Sequence, residues 1–150
     1  MTRKIRKDVF ETNSSSVHTL VISNDGREPS KFKLNKEGEI EIDFGTFGKN
    51  YDIFNSQYEK LSYLITCLYY TSRGFNVESI YDDYEFTKIK DAIMNYVPDC
   101  TGIKILGQNE PCIDHQSIPY DGIEIINVYD EDSIINFVFN KHVSLKTDCD

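Results

Sequence analysis

Hydrophobic positions recur along this chain with two different periods. They divide it into a strand-rich start, a helical middle and a strand-rich end. Residues 3–10 read as a short strand with Ile5 and Val9 on one face. From Val17 to Ser23, Val17, Thr19 and Val21 alternate with His18, Leu20 and Ile22. Both faces are largely apolar, which predicts an interior strand. Asn24-Asp25-Gly26 marks a turn. Phe32 and Leu34 alternate with lysines, Lys36-Glu37-Gly38 turns the chain, and Ile40, Ile42 and Phe44 alternate with Glu39, Glu41 and Asp43. That pattern predicts a hairpin whose second strand shows its acids to solvent.

The period then changes to that of a helix. Ser56 with Glu59 three residues on makes a capping box. Tyr58, Leu61, Leu64, Ile65, Leu68 and Tyr69 follow as one stripe, and Gly74 ends the helix near Arg73. A second helix is predicted over about 77–97, with Phe86, Ile89, Ile93 and Tyr96 or Val97 inward and Pro98 as its stop. Ile103–Leu106 and Ile123–Val128 read as strands on either side of a polar segment, 108–122. Asp130 or Glu131 starts a short helix that Asn140 can end, and Val143 and Leu145 make a last strand. The order predicts an α+β fold: a mainly antiparallel sheet, two central helices packed on one face, and a short C-terminal helix. With no repeat, linker or low-complexity stretch, residues 1–150 read as a single domain.

Charge adds an asymmetry. The net charge is −9, yet residues 1–36 hold eight Lys/Arg against four Asp/Glu, while the rest hold eight against twenty-one. An acidic body repels long nucleic acid and suits a basic partner, although solubility alone accounts for such a balance. Asp82, Asp83 and Glu85, early in the second predicted helix, are the candidate partner-binding face; a solvated face is the plainer reading. No apolar run approaches 18 residues, so no membrane span is expected. The four cysteines (67, 100, 112 and 149) form no C-x-x-C pair, and the start is polar and basic. A reducing cytoplasm without a disulfide framework follows as the expectation.

Two stretches carry candidate chemistry. The first is Thr12-Asn13-Ser14-Ser15-Ser16 leading into His18. Hydroxyls, an amide and free backbone N–H groups gathered beside an imidazole can hold a phosphate or carboxylate, or merely satisfy a turn. The second is Asp114-His115-Gln116-Ser117. If His115 lies near His18, the two can act as general base and acid, with Arg6 or Lys7 stabilising developing charge and Asp114 beside His115. Gln116 and Ser117 would add ligand contacts. No ligand pair has helical spacing for a metal, so neither a metal nor another cofactor is expected.

Together, Val9-Phe10-Glu11-Thr12-Asn13-Ser14-Ser15-Ser16-Val17-His18, Ile113-Asp114-His115-Gln116-Ser117, and Phe137-Val138-Phe139-Asn140 with Thr147-Asp148 resemble a family of small proteins from phages and prophages of Firmicutes. Phe44-Gly45-Thr46-Phe47-Gly48 and Lys60-Leu61-Ser62-Tyr63-Leu64 look like its middle segment, with Lys49 where a Trp often follows and Cys149 where an Asn is expected. The resemblance implies a phage accessory gene and a single site shared by the three polar stretches. By analogy with other small acidic phage proteins, it implies an anti-defence, anti-CRISPR-like inhibitor that meets a host defence protein or its nucleic acid in the host cytoplasm. Two alternatives stand beside it. One is a metal-independent nuclease or nucleotide hydrolase using His18, His115 and Ser14–Ser16. The other is a module that sequesters a nucleotide or other phosphorylated ligand. A shared site requires Ser14, His18 and His115 to converge.

Overall fold

Ser56 starts the helix around which the rest of the molecule packs. In the computed structural model its side chain accepts from the Glu59 N–H at 3.0 Å, and the Glu59 carboxylate answers to the Ser56 backbone, completing the capping box. The structure describes residues 26–49, 51–72, 74–114, 123 and 125–147 in full, and residues 4–11 and 17–23 as backbone.

In chain order the strands are β1 (Lys4–Glu11), β2 (Val17–Ser23), β3 (Glu39–Ile42), β4 (Thr46–Phe47), β5 (Asp52–Phe54), β6 (Gly102–Ile105), β7 (Cys112–Ile113) and β8 (Leu145–Thr147). The helices are α1 (Gln57–Thr71), α2 (Val77–Tyr81), α3 (Tyr84–Tyr96) and α4 (Glu131–Phe139). The fold is α+β, but among the described residues the strands divide among three small sheets. Four form an antiparallel sheet in the order β1-β2-β8-β5. The others form two parallel pairs, β3-β6 and β4-β7. Parallel pairing needs a long crossover, and the helical segment between β3 and β6 supplies it. β2 is interior, as its two apolar faces predict. The register of β1 shifts between Asp8 and Phe10, so Ile5, Lys7 and Phe10 pair with Ile22, Leu20 and His18. A bulge there inverts the alternation beyond it.

α1 is enclosed rather than laid on one face of a sheet. Every residue from Lys60 to Leu68 is buried, and a helix buried all round belongs in the middle of a core. It meets β3, β7 and the other three helices. Leu61, Leu64, Ile65 and Leu68 share the core with Ile40, Ile42, Ile89, Ile93, Phe137 and Phe139.

The helix expected over 77–97 is two helices. Asn76 caps α2 by accepting from Ser79 N–H at 2.8 Å. Asp83 caps α3 by accepting from Glu85 N–H at 2.7 Å. Asp side chains compete for backbone N–H groups and so favour caps over helix interiors; here Asp82-Asp83 sets the break. The strand expected over 123–128 is also absent among its described residues. Ile123, Ile125, Ile126 and Val128 are buried, yet join no ladder. A short apolar run reports burial, and the ladder does not follow from it. The hairpin expected at 32–44 is reduced to one bridge, Leu34 to Ile40, closed by Asn35 N–H on Glu39 O at 2.9 Å, with Gly38 at φ 84°. Asn24 and Asp25 of the neighbouring expected turn lie outside the described residues.

Asp43 departs from its expected outward position. It is 5% exposed, and its carboxylate accepts from the backbone N–H groups of Phe44 (2.8 Å), Gln108 (3.1 Å) and Asn109 (3.2 Å). It therefore ties the end of β3 to the turn after β6.

The segment 26–33 crosses the end of α4. Glu28 N–H donates to Phe139 O and Lys141 N–H to Gly26 O, each at 2.9 Å. Gln57 holds the same segment from α1, accepting from Lys31 N–H at 2.7 Å and donating to Pro29 O at 3.0 Å. At Gly26 a Cβ would lie 2.0 Å from Asn140 Oδ1, so only glycine fits there without moving Asn140.

Candidate functional site

The residues nominated by the sequence do not assemble into one described site. His18 stands in β2 opposite Phe10, inside the four-stranded sheet. Arg6 pairs with Val21, three residues along β2 and so of opposite pleat parity to His18. Lys7, opposite Leu20, has the same parity as His18. Asp114 follows β7, in a different sheet, and its N–H donates to Phe47 O at 2.9 Å. Thr12, Asn13, Ser14, Ser15, Ser16, His115, Gln116 and Ser117 lie outside the described residues, and so does the convergence of Ser14, His18 and His115. His142 is exposed.

The acidic trio serves the fold more than a surface. Asp82 is exposed and ends α2. Asp83 is the cap of α3. Glu85 is half-buried and accepts from Ile123 N–H at 3.3 Å on both carboxylate oxygens. Burial raises its carboxyl pKa above the ordinary value, the Ile123 bond pulls it back, and the neighbouring Asp83 charge adds to the rise.

A better-built site lies where α1 begins and α4 ends. Lys60 is 1% exposed and is among the largest of the fully buried side chains. Its ammonium donates to Asn140 O and Val143 O, both at 3.0 Å. These carbonyls follow the C-terminus of α4, where unpaired carbonyls and the helix dipole favour a cation. Desolvation lowers the amine pKa to about 8, while the Glu28 charge pulls it upward.

Lys60 stands in the wall of a cleft of about 670 Å³, within the range of small-molecule sites. Three more lysines, Lys31, Lys33 and Lys141, line it, against two acids, Glu28 and Glu41. Lys31 pairs with Glu28 at 3.7 Å, while Lys33 and Lys141 meet no carboxylate among the described residues. Ser56, Gln57 and Tyr58 bring the start of α1 to the same wall. The cap satisfies the third N–H of that helix, and helix geometry leaves those of Gln57 and Tyr58 without partners inside it. Asn140, 0% exposed, also lines the cleft. Its Oδ1 accepts from His142 N–H at 2.9 Å, whereas its Nδ2 has no hydrogen-bond partner among the described residues. A buried unpaired donor is costly and is ordinarily satisfied. Four lysines, the first residues of α1 and Asn140 thus line one space. That set suits an anion.

Sequence reading did not single out Lys60, which entered it only within Lys60-Leu61-Ser62-Tyr63-Leu64. The signal was spacing: Lys60 precedes Leu64 by four and Leu68 by eight, in the buried row of α1. Tyr58, read as core, is instead 45% exposed at the cleft. Asn140 was read as a helix end, which it is, and its carboxamide has this second part.

Among the described residues no cluster of three or more His, Cys, Asp or Glu is placed to hold a metal ion. Cys67, Cys100 and Cys112 are free thiols, and burial pushes that of Cys67 up to about 12, far from the thiolate a nucleophile needs. No protein-family model, curated protein or solved structure matches the chain.

Proposed function

We propose that this protein is a binding module that holds a small anionic ligand in the Lys60 cleft. The observation that carries the reading is the unpartnered Asn140 Nδ2, buried in the wall of a space that also takes Lys33, Lys60 and Lys141. A bound anion gives that donor an acceptor and balances the local excess of positive charge. The chain as a whole is acidic, with a net charge of −9, so a lysine-lined cleft is a local exception. Specific recognition therefore outweighs general attraction here.

The reading fits the phage setting that the sequence resembles. Sequestering a phosphorylated signal or substrate needed by a nucleic-acid-linked host system is itself an anti-defence activity, carried out in the host cytoplasm. Docking on a basic host protein through the acidic trio is less well supported, since Asp83 and Glu85 are engaged in capping α3 and in holding Ile123. Among the described residues no helix is long and apolar enough to cross a membrane.

Thermal unfolding with and without inorganic phosphate or pyrophosphate tests the proposal. An anion at about a hundred times its Kd stabilises the folded chain by roughly 2.7 kcal/mol, a rise on the order of 5–10 °C for a domain of this size. Reversing both Lys33 and Lys141 to glutamate should remove the rise without changing the melting temperature of the free protein by more than a few degrees. Equal rises in both proteins would place the binding elsewhere; no rise with either anion would end the reading.

A further inference from the structure

We infer that the ligand of the Lys60 cleft is a mononucleotide, its base lying on the ring wall and its phosphate directed to the start of α1. The inference rests on the anion-binding reading above and adds to it the identity of the uncharged part of the ligand.

Size is the first argument. A phosphate ion alone would leave most of a 670 Å³ cleft filled with water, whereas a nucleotide matches sites of that volume. The second is the apolar side of the wall. Phe32 is half-buried and Tyr58 is 45% exposed, and both line the cleft. Phe139, fully buried, backs Phe32 edge-on with ring centres 5.9 Å apart. Tyr96 stacks on Phe139 at 4.5 Å and 31°, and its hydroxyl donates to Glu28 O at 2.7 Å. Phe32 is thus supported by a fixed aromatic stack. Tyr58 is anchored at its far end, its hydroxyl accepting from Asp43 N–H at 3.1 Å. Rings held this way present faces on which a base can stack at little cost in order.

The third argument is the two acids. Glu28 and Glu41 are out of place in a site for a bare anion, because they repel it. They are in place for a ligand that also brings hydroxyl donors, as a ribose does. The carboxamide of Asn55, both donor and acceptor, adds a lining suited to the polar edge of a base. Cations and helix-start N–H groups for the phosphate, carboxylates for the sugar and rings for the base together describe a nucleoside monophosphate better than any one of its parts.

Isothermal titration of the full chain with adenosine monophosphate, adenosine and inorganic phosphate tests this. The nucleotide should bind at least tenfold more tightly than either part. Phe32→Leu should weaken the nucleotide about tenfold and leave phosphate unchanged. Tyr58→Leu should do the same, and serves if the first variant folds poorly. Phosphate binding as tightly as the nucleotide would overturn this inference and leave the anion reading standing. Adenosine binding as tightly as the nucleotide would overturn the anion reading, and this inference with it. No binding by any of the three would overturn both.

Discussion

Replacing Lys60 by methionine keeps most of the side-chain volume and removes the charge, and the structure allows the result to be worked out. The ammonium makes two bonds to backbone carbonyls, Asn140 O and Val143 O, each at 3.0 Å. Losing two bonds from a charged donor costs roughly 3–6 kcal/mol. Against that, burial has lowered the amine pKa from 10.5 to about 8, which corresponds to roughly 3 kcal/mol of penalty on the charged form. The variant sheds this penalty. The net loss at pH 7 is then on the order of 0–3 kcal/mol, too broad to decide anything alone. The pH dependence decides it. Below pH 8 the folded and unfolded chains both hold the proton, and the folded chain carries the whole penalty. Between about pH 8 and 10.5 the unfolded chain binds more protons than the folded one, so the wild type gains stability as pH rises. The methionine variant lacks this gain. Groups that behave alike in both proteins cancel in the difference. Urea unfolding of both at pH 7.0 and 9.5 should show the gap widening in favour of the wild type by about 2 kcal/mol. A gap that stays constant or narrows refutes the buried, desolvated ammonium.

Three other predictions follow from the fold. Asp43→Ala removes the acceptor of three backbone N–H groups, that of the buried Phe44 and those of the exposed Gln108 and Asn109, and should cost about 1–3 kcal/mol in urea unfolding. Asp83→Ala removes the cap of α3 and should cost about 1 kcal/mol, whereas the exposed Asp82→Lys should stay within about 0.5 kcal/mol of the wild type; equal losses would contradict the assignment of the break. Glu85→Gln should gain on the wild type as pH rises through and above the ordinary carboxyl range. The half-buried carboxyl keeps its proton to higher pH when folded, so wild-type stability falls as pH rises through that range, and a flat difference would count against its desolvation.

Periodicity located most elements, because it reports which face of a segment is buried. The α1 stripe and the interior character of β2 followed from it, while cap residues marked the start of α1 at Ser56 and the end of α4 at Asn140. It could not say what lies on the other side of a buried face. The pairing of β3 with β6 joins residues about sixty positions apart, and nothing in either segment encodes its partner. The acids mark a second limit. Asp43, Asp83 and Glu85 looked like surface charge, yet each accepts backbone N–H bonds that exist only once the chain has folded. Lys60 failed in the same way, since its acceptors lie some eighty residues along the chain. The proposed site was therefore legible only as its ends: the start of one helix and the finish of another.

The central claim is that the Lys60 cleft takes an anion, and the side-chain amide of Asn140 is its most direct reporter. In an ¹⁵N-labelled sample titrated with inorganic phosphate, the Asn140 Nδ2 resonances and the backbone N–H of Gln57 and Tyr58 should shift together and saturate at one shared Kd. Shifts absent from all three, or confined to groups outside the cleft, would contradict the account.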